Sequence, residues 1–189
     1  MITAALASAR LEVHAAQIYT RQLGDGSVQA VDLFWVRERT EGVAGVDASL
    51  GKLRRELSLL LAGAPLAEAT AMRAPTGRTR PGPAVPTRVL IDHRASPAYT
   101  VVEITAQDRP GFLFAMSHAF FELGLSIAIA KINTEGARIA DVFYVSEQDG
   151  SKILPGARAA EVEAKLMAAA NRGQPVPSTR PSADDPSAP

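Results

Sequence analysis

The chain has 189 residues, room for one ordinary domain or two small ones, since compact domains usually contain roughly 100 to 150 residues. Its 20 Lys and Arg residues balance 20 Asp and Glu residues, so no net field attracts nucleic acid. The absence of cysteine excludes disulfides, thiolate metal sites and thiol nucleophiles. The N-terminus lacks a signal-peptide pattern, and no apolar run approaches the ~20 residues of a membrane span. We therefore predict a soluble, cytoplasmic protein.

Two parts of the sequence are similar to each other. Residues 10–20 align without a gap with residues 124–134, with Leu, a β-branched residue, Ala, Ile and Thr at matching places. Further along, residues 31–36 align with residues 140–145, and both segments have the order Asp, apolar, Phe, aromatic, Val. Such a repeat indicates two copies of one small domain.

The first copy begins within a helix, so the strand and turn that open the second copy have no counterpart in it. Strands are predicted at residues 10–20 and 31–36. A helix is predicted over residues 47–62, where apolar residues recur every three or four positions. These residues are Leu50, Leu53, Leu57, Leu60 and Leu61. Pro, Gly and Arg dominate residues 65–86 and indicate a flexible linker, and residues 88–92 are predicted to form a short strand that completes the first sheet.

The second copy opens with a β-branched strand over residues 99–105. Asp108 is then predicted to cap a helix with Pro110 in its first turn, and Gly124 to end that helix. Two paired strands follow over residues 126–133 and 138–146, and a closing helix over residues 157–170. The tail, residues 173–189, has nothing to bury, and we predict that it is disordered.

Strand, helix, strand, repeated twice, is the βαββαβ arrangement. We predict an α+β protein of tandem ferredoxin-like domains, each a four-stranded antiparallel sheet with its helices on one face. The domains are residues 1–64, which lack the opening strand, and residues 87–172. Unpaired sheet edges invite partners, so we expect packing between the two copies or a homodimer.

Three features of the second copy resemble the ACT domain: the turn Asp108 to Gly111 after a strand, the helix end Leu123 to Leu125, and the strand Asp141 to Val145. The stretch from Tyr99 to Ile153 is similar to the last ACT domain of PII uridylyltransferase/uridylyl-removing enzymes. In that family a nucleotidyltransferase domain and a metal-dependent phosphohydrolase-type domain precede two ACT domains that sense glutamine. The resemblance implies a regulatory module without a catalytic centre or cofactor, which would meet PII only within a full-length enzyme.

A ligand site is predicted at the turn before the second copy's helix. Backbone N–H groups at a helix N-terminus suit the carboxylate of an amino acid, and Gly111 lets a ligand approach the backbone closely. Asp108 is placed to meet an α-amino group, although capping alone would explain it. Asn133 and Thr134 offer groups for a side-chain amide, but turn formation explains them as well. The predicted ligand-binding residues are Asp108, Arg109, Pro110, Gly111, Phe112, Leu113 and Asn133.

Other polar residues support no separate chemistry. Asp32 and Asp141 occupy equivalent strand positions without a His or second acid at metal-ligand spacing, so we interpret them as edge-strand charges or salt-bridge partners. The aromatic pairs at 34–35 and 143–144 should send one ring to the core and the other to an interdomain or dimer surface. The strands lack the exposed basic and aromatic residues of RNA-binding modules. The alternative to a glutamine sensor is a ligand-free module in which the sheets dimerise.

Overall fold

The computed structural model describes residues 2–38, 45–62 and 84–172. The predicted tail and nearly all of the predicted linker lie outside these ranges. The elements, in chain order, are α1 Ile2–Ser8, β1 Leu11–Gln22, β2 Val28–Glu38, α2 Gly45–Leu61, β3 Arg88–Asp92, β4 Thr100–Gln107, α3 Phe112–Glu122, β5 Ser126–Glu135, β6 Arg138–Ser146 and α4 Ala157–Asn171. None of the described helices is long and apolar enough to span a membrane.

All six described strands form one sheet, with the order β2-β1-β5-β6-β4-β3 and antiparallel pairing throughout. The second copy contributes four adjacent strands and the first copy two, which join through β1 and β5. This confirms the predicted α+β class and is consistent with tandem ferredoxin-like domains of the ACT type. The two copies do not have separate sheets in the described part of the chain, because β1 covers the edge of β5.

The prediction for residues 88–92 was wrong in one respect. They form a strand, β3, but this strand pairs with β4 of the second copy, with Arg88 opposite Thr105 and Asp92 opposite Val101. A short connection joins β3 to β4, and sequential strands tend to pair with each other. The pairing places Val89, 6% exposed, in the core of the second copy.

The register between β1 and β5 shows how the two copies are related. Gln17 lies opposite Lys131, its own equivalent in the repeat. On one side of this pair Ala16 lies opposite Ile132, and on the other side Ile18 lies opposite Ala130. Each copy thus presents the same positions to the other in reverse order, as a local two-fold axis requires.

The helix layer confirms this axis. Extended upstream, the repeat alignment makes Thr3 in α1 equivalent to Ser117 in α3. Their hydroxyl oxygens share a hydrogen bond of 2.8 Å. The two equivalent helices therefore pack against each other at the same axis as the two equivalent strands.

The helices cover one face of the sheet. The rings of Phe120 in α3 and Phe143 in β6 lie 4.8 Å apart, and Leu166 of α4 is buried with them. Because strand side chains alternate between faces, the neighbouring Tyr144 points to the opposite face, as does Trp35 of the first copy. Trp35 is 51% exposed, so the predicted division of each aromatic pair between the two faces of the sheet is confirmed, while an interdomain or dimer surface at the outer rings stays a prediction.

The sequence-based prediction was wrong for the N-terminus of α3 and right for its C-terminus. At the N-terminus the cap position is Gly111, with φ 75° and no side-chain cap hydrogen bond, so the predicted capping role of Asp108 was wrong and Pro110 precedes the helix. The N–H of Asp108 donates instead to the carbonyl of Ala137 at 2.8 Å, which ties the turn to the β5–β6 hairpin.

At the C-terminus of α3 the prediction is confirmed. Gly124 has φ 69°, and the N–H of Leu125 donates to the carbonyl of Phe120 at 3.0 Å, the pattern of a Schellman motif. Arg10 is the equivalent of Gly124 in the first copy, and it also has a positive φ, 58°. The repeat therefore extends to backbone conformation.

Candidate functional site

A cavity of about 50 Å³ lies between the two copies. The first copy lines it with α1 and the start of β1, and the second copy with the turn before α3 and the facing ends of β5 and β6. The first copy contributes Thr3, Leu6, Ala7, Leu11, Glu12 and Val13. The second copy contributes residues 108–114 together with Ile132, Thr134, Ile139 and Asp141. A water needs about 10 to 15 Å³ by the same measure, so the cavity has room for about four water-sized groups.

Six of the seven predicted site residues line this cavity: Asp108, Arg109, Pro110, Gly111, Phe112 and Leu113. Asn133 is not brought together with them. Alternation along β5 directs the exposed Asn133 side chain to the other face, where its amide Nδ2 donates to Glu135 Oε1 at 3.1 Å. The next residue, Thr134, lines the cavity instead.

The start of α3 supplies hydrogen-bond donors. The first N–H groups of a helix have no carbonyl partner within the helix. The N–H of Phe112 donates to the carbonyl of Arg109 at 3.2 Å, whereas Leu113 and Phe114 lie in this first turn and also line the cavity. A side-chain carbon built on Gly111 would meet no atom within 4 Å. The backbone of the turn is thus open to close approach, and the helix dipole favours an anion there.

The guanidinium of Arg109 is directed toward the end of α4. It donates to the carbonyls of Ala169 at 2.9 Å and Ala170 at 3.4 Å, and it lies 5.3 Å from the centre of the Phe112 ring. Burial lowers the pKa of Arg109, and the nearby charge of Arg172 lowers it further. A cation at a helix C-terminus stabilises the free carbonyls there, so Arg109 connects the turn of the cavity to α4.

Asp141 occupies the interior of the sheet, which contradicts its interpretation as an edge-strand charge or salt-bridge partner. It is 1% exposed, because β6 has β5 on one side and β4 on the other. Its Oδ1 accepts the backbone N–H of Asn133 at 3.1 Å, and it forms no ion pair within the described ranges. Burial raises the pKa of Asp141 to about 7; the neighbouring Asp108 raises it too, whereas the Asn133 hydrogen bond opposes the shift.

Asp32, the equivalent of Asp141, has a different environment. It lies on β2, the edge strand of the sheet, and its side chain is only half-buried. Burial raises the pKa of Asp32, and its Oδ1 has no hydrogen-bond partner.

The site therefore combines two kinds of polar group. Donors at the start of α3 suit a carboxylate, and the carboxylates of Asp108 and Asp141 suit a cation. The carboxylate of Glu12 pairs with Arg37 at 2.6 Å. No group of acids and histidines among the described residues has the geometry to hold a metal ion. Fold and site together define a pair of ferredoxin-like copies that share a small cavity lined by polar and apolar residues.

Comparison with known proteins places this pair in a larger context. No family model matches the chain. It is 37% identical over 170 residues to the bifunctional uridylyltransferase/uridylyl-removing enzyme of Azospirillum brasilense, which aligns with 88% of this chain. It is 34% identical over 177 residues, 92% of the chain, to the enzyme of the same name from Rhodospirillum rubrum. The chain is therefore homologous to a region of these enzymes, and it spans 18% of the length of each.

Proposed function

We propose that this chain is an amino-acid-sensing regulatory module and that its ligand is glutamine. The observation that carries the proposal is the composition of the cavity, since both copies line it. A ligand bound there contacts both copies and so responds to their relative position. This is the arrangement that a regulatory site needs.

The polar groups of the cavity match a free amino acid. The ligand carboxylate would accept N–H groups at the start of α3, and its ammonium group would lie among the acids, Asp108 included. Thr134 lines the cavity, and its hydroxyl would bind the side-chain amide. An amide differs from a carboxylate in charge, and the acidic lining would repel the additional negative charge of glutamate. The site should thus prefer glutamine to glutamate.

Cavity size suggests how binding is sensed. Glutamine is larger than about four water-sized groups, so it would bind best when the two copies are further apart around the cavity. A ligand shifts an equilibrium only by its different affinity for the two arrangements. In a full-length enzyme, the shift would favour removal of uridylyl groups from PII when glutamine is abundant.

Calorimetric titration with glutamine, and with glutamate for comparison, tests the proposal. Ala7→Leu would fill the cavity from α1, so glutamine binding should weaken by at least about tenfold, since overpacking a site costs about 1 to 3 kcal/mol. Ala164→Leu makes the same change at an exposed position of α4 and should bind as the original chain does. Equal binding by both variants would contradict this site, and no heat with glutamine would contradict the function.

One observation favours a second function, self-association through the outer face of the sheet. Neighbouring strands expose Val31, Leu33, Trp35 and Tyr19 there, each 44 to 52% exposed. Exposed apolar patches commonly mark interfaces. By the strand registers Lys131 and Glu103 share this face, so a second copy of the chain could pair opposite charges across it.

Light scattering during size-exclusion chromatography tests this second function. A dimer that Trp35→Ser converts to a monomer would support it. As a control, Leu154→Ser changes an apolar side chain that is 73% exposed outside the sheet, and it should leave the mass unchanged. A monomer at all concentrations would exclude this interface.

A further inference from the structure

We propose that Asp141 is the counter-ion of the ligand's ammonium group, which makes the site selective for free α-amino acids over acids that lack the amino group. The proposal rests on the proposed amino-acid sensing and identifies the group that would set its specificity. It differs from the sequence-based expectation, which assigned the amino group to Asp108 alone.

The position of Asp141 supports this role. It lines the cavity and is 1% exposed, and in the sheet it lies opposite Ile104 of β4. Ile132 and Ile139 line the cavity as well. An ionised carboxylate in such apolar surroundings is costly unless a cation or several hydrogen bonds compensate it.

The bonds that Asp141 makes leave capacity for a ligand. A carboxylate has about four lone-pair sites for hydrogen bonds. The structure shows one donor, the backbone N–H of Asn133. An ammonium group carries donors and a positive charge, and charge-assisted hydrogen bonds of this kind are about twice as strong as neutral ones.

The surrounding charges also favour a cation at Asp141. Asp108, from the turn, is the nearby acid, and its charge opposes ionisation of Asp141. From β1, Glu12 alternates with the core-facing Leu11 and Val13, and its carboxylate pairs with Arg37. The guanidinium of Arg109 is directed to the end of α4. The lining parts of α1 and α3 contain no titratable residue, so a bound ammonium group would relieve both desolvation and repulsion.

This arrangement predicts that binding releases a proton. With a pKa of about 7, Asp141 is largely protonated at pH 6 and largely ionised at pH 8. A bound ammonium group stabilises the ionised form and lowers its pKa. Binding at pH 6 should therefore expel a proton, whereas binding at pH 8 should expel almost none.

The test is calorimetry at pH 6 and pH 8, each in two buffers of different ionisation enthalpy. The ligands are glutamine and 4-carbamoylbutanoic acid, which is glutamine without its amino group. Asp141→Asn has nearly the same shape but cannot ionise, and Asp32→Asn is the matched control at the equivalent position. Thermal unfolding and circular dichroism establish that each variant is folded.

The original chain should bind glutamine at least about tenfold more tightly than the analogue, because an ion pair is lost with the amino group. Asp141→Asn should remove most of this preference and the proton release at pH 6, whereas Asp32→Asn should retain both. If Asp141→Asn keeps the preference and the proton release, the role of Asp141 is wrong while amino-acid sensing stands. If the original chain binds neither glutamine nor any other protein amino acid, both proposals fail.

Discussion

The two copies of the repeat have the same backbone pattern but place equivalent residues in different surroundings. Phe143 is 1% exposed, whereas its equivalent Phe34 is only partly buried. Asp141 is likewise buried, and Asp32 is half-exposed. In each pair the residue of the second copy lies on β6, which has a strand on both sides, and the residue of the first copy lies on the sheet edge.

The comparison shows that a side chain's energetics depend on its neighbouring strands as well as on its own sequence. Alternation decides which face a residue points to, and both copies obey it. The number of flanking strands and covering helices then decides how much water is excluded. Substitutions at equivalent positions should therefore have unequal effects, and three pairs of variants test this.

The largest difference is expected for the core phenylalanines. Phe143→Ala should lower the free energy of unfolding by about 3 to 5 kcal/mol, because it removes a fully buried ring and leaves a cavity beside Phe120. Phe34→Ala removes a ring that is still partly in water and should cost about half as much. Urea unfolding of both variants measures the difference; equal losses would show that the edge strand is as well packed as the interior one.

A second pair, Asp141→Asn and Asp32→Asn, should differ in pH dependence. In the folded chain the pKa of Asp141 is about 7, above the ordinary value of 3.8, so the folded state holds its proton more tightly than the unfolded state. The Asp141 contribution to stability is therefore complete below about pH 4 and is lost as pH rises to about 7, at about 1.4 kcal/mol per unit of pKa shift.

Asp141→Asn should abolish this loss. The difference in unfolding free energy between the variant and the original chain should therefore favour the variant more at pH 8 than at pH 5. The pKa of Asp32 is also raised by burial, but its half-exposed side chain should give a smaller change of the same sign. Thermal unfolding from pH 4 to pH 8 is the measurement. An unchanged pH profile in Asp141→Asn would mean that Asp141 ionises freely in the folded chain.

The smallest effects are expected where each first helix ends. Gly124→Ala should destabilise the chain by about 1 kcal/mol, because φ 69° strains a residue with a Cβ atom, while no atom within 4 Å would clash. Arg10→Gly removes the same strain from the first copy and should stabilise it by up to about 1 kcal/mol. Chemical denaturation should show that the free energy of unfolding falls in Gly124→Ala and rises in Arg10→Gly. A lower free energy of unfolding in both variants would mean that the Arg10 side chain stabilises the fold by its contacts.

Much of the candidate site was predictable from the sequence, because it depends on a local motif. A strand followed by Asp108 to Gly111 and an apolar helix identified the turn, and six predicted residues line the cavity. Asn133 was predicted from its chemistry alone, although the alternation of β5 directs it away from the cavity. The role of Asp108 at the helix start was also mistaken, since Gly111 with its positive φ occupies the cap position.

Asp141 was missed because its environment comes from distant residues. The repeat showed that the position matters, but nothing local distinguishes a carboxylate on an interior strand from one on an edge. A usable signal was present in the apolar residues around it, Ile139 and Phe143 among them, which indicate a strand with a buried face. Combined with the turn, that signal would have placed Asp141 beside the predicted site.

The sequence by itself determined the repeat, the elements of each copy, and that the two rings of each aromatic pair point to opposite faces, because these follow from hydrophobic periodicity and from Gly at a helix end. Only the tertiary structure decided that β1 joins β5, that β3 pairs with β4, and that a cavity forms between the copies. Pairing between strand edges depends on backbone N–H and C=O groups, which every sequence offers alike. Which edges meet is decided by the packing of whole helices and sheets.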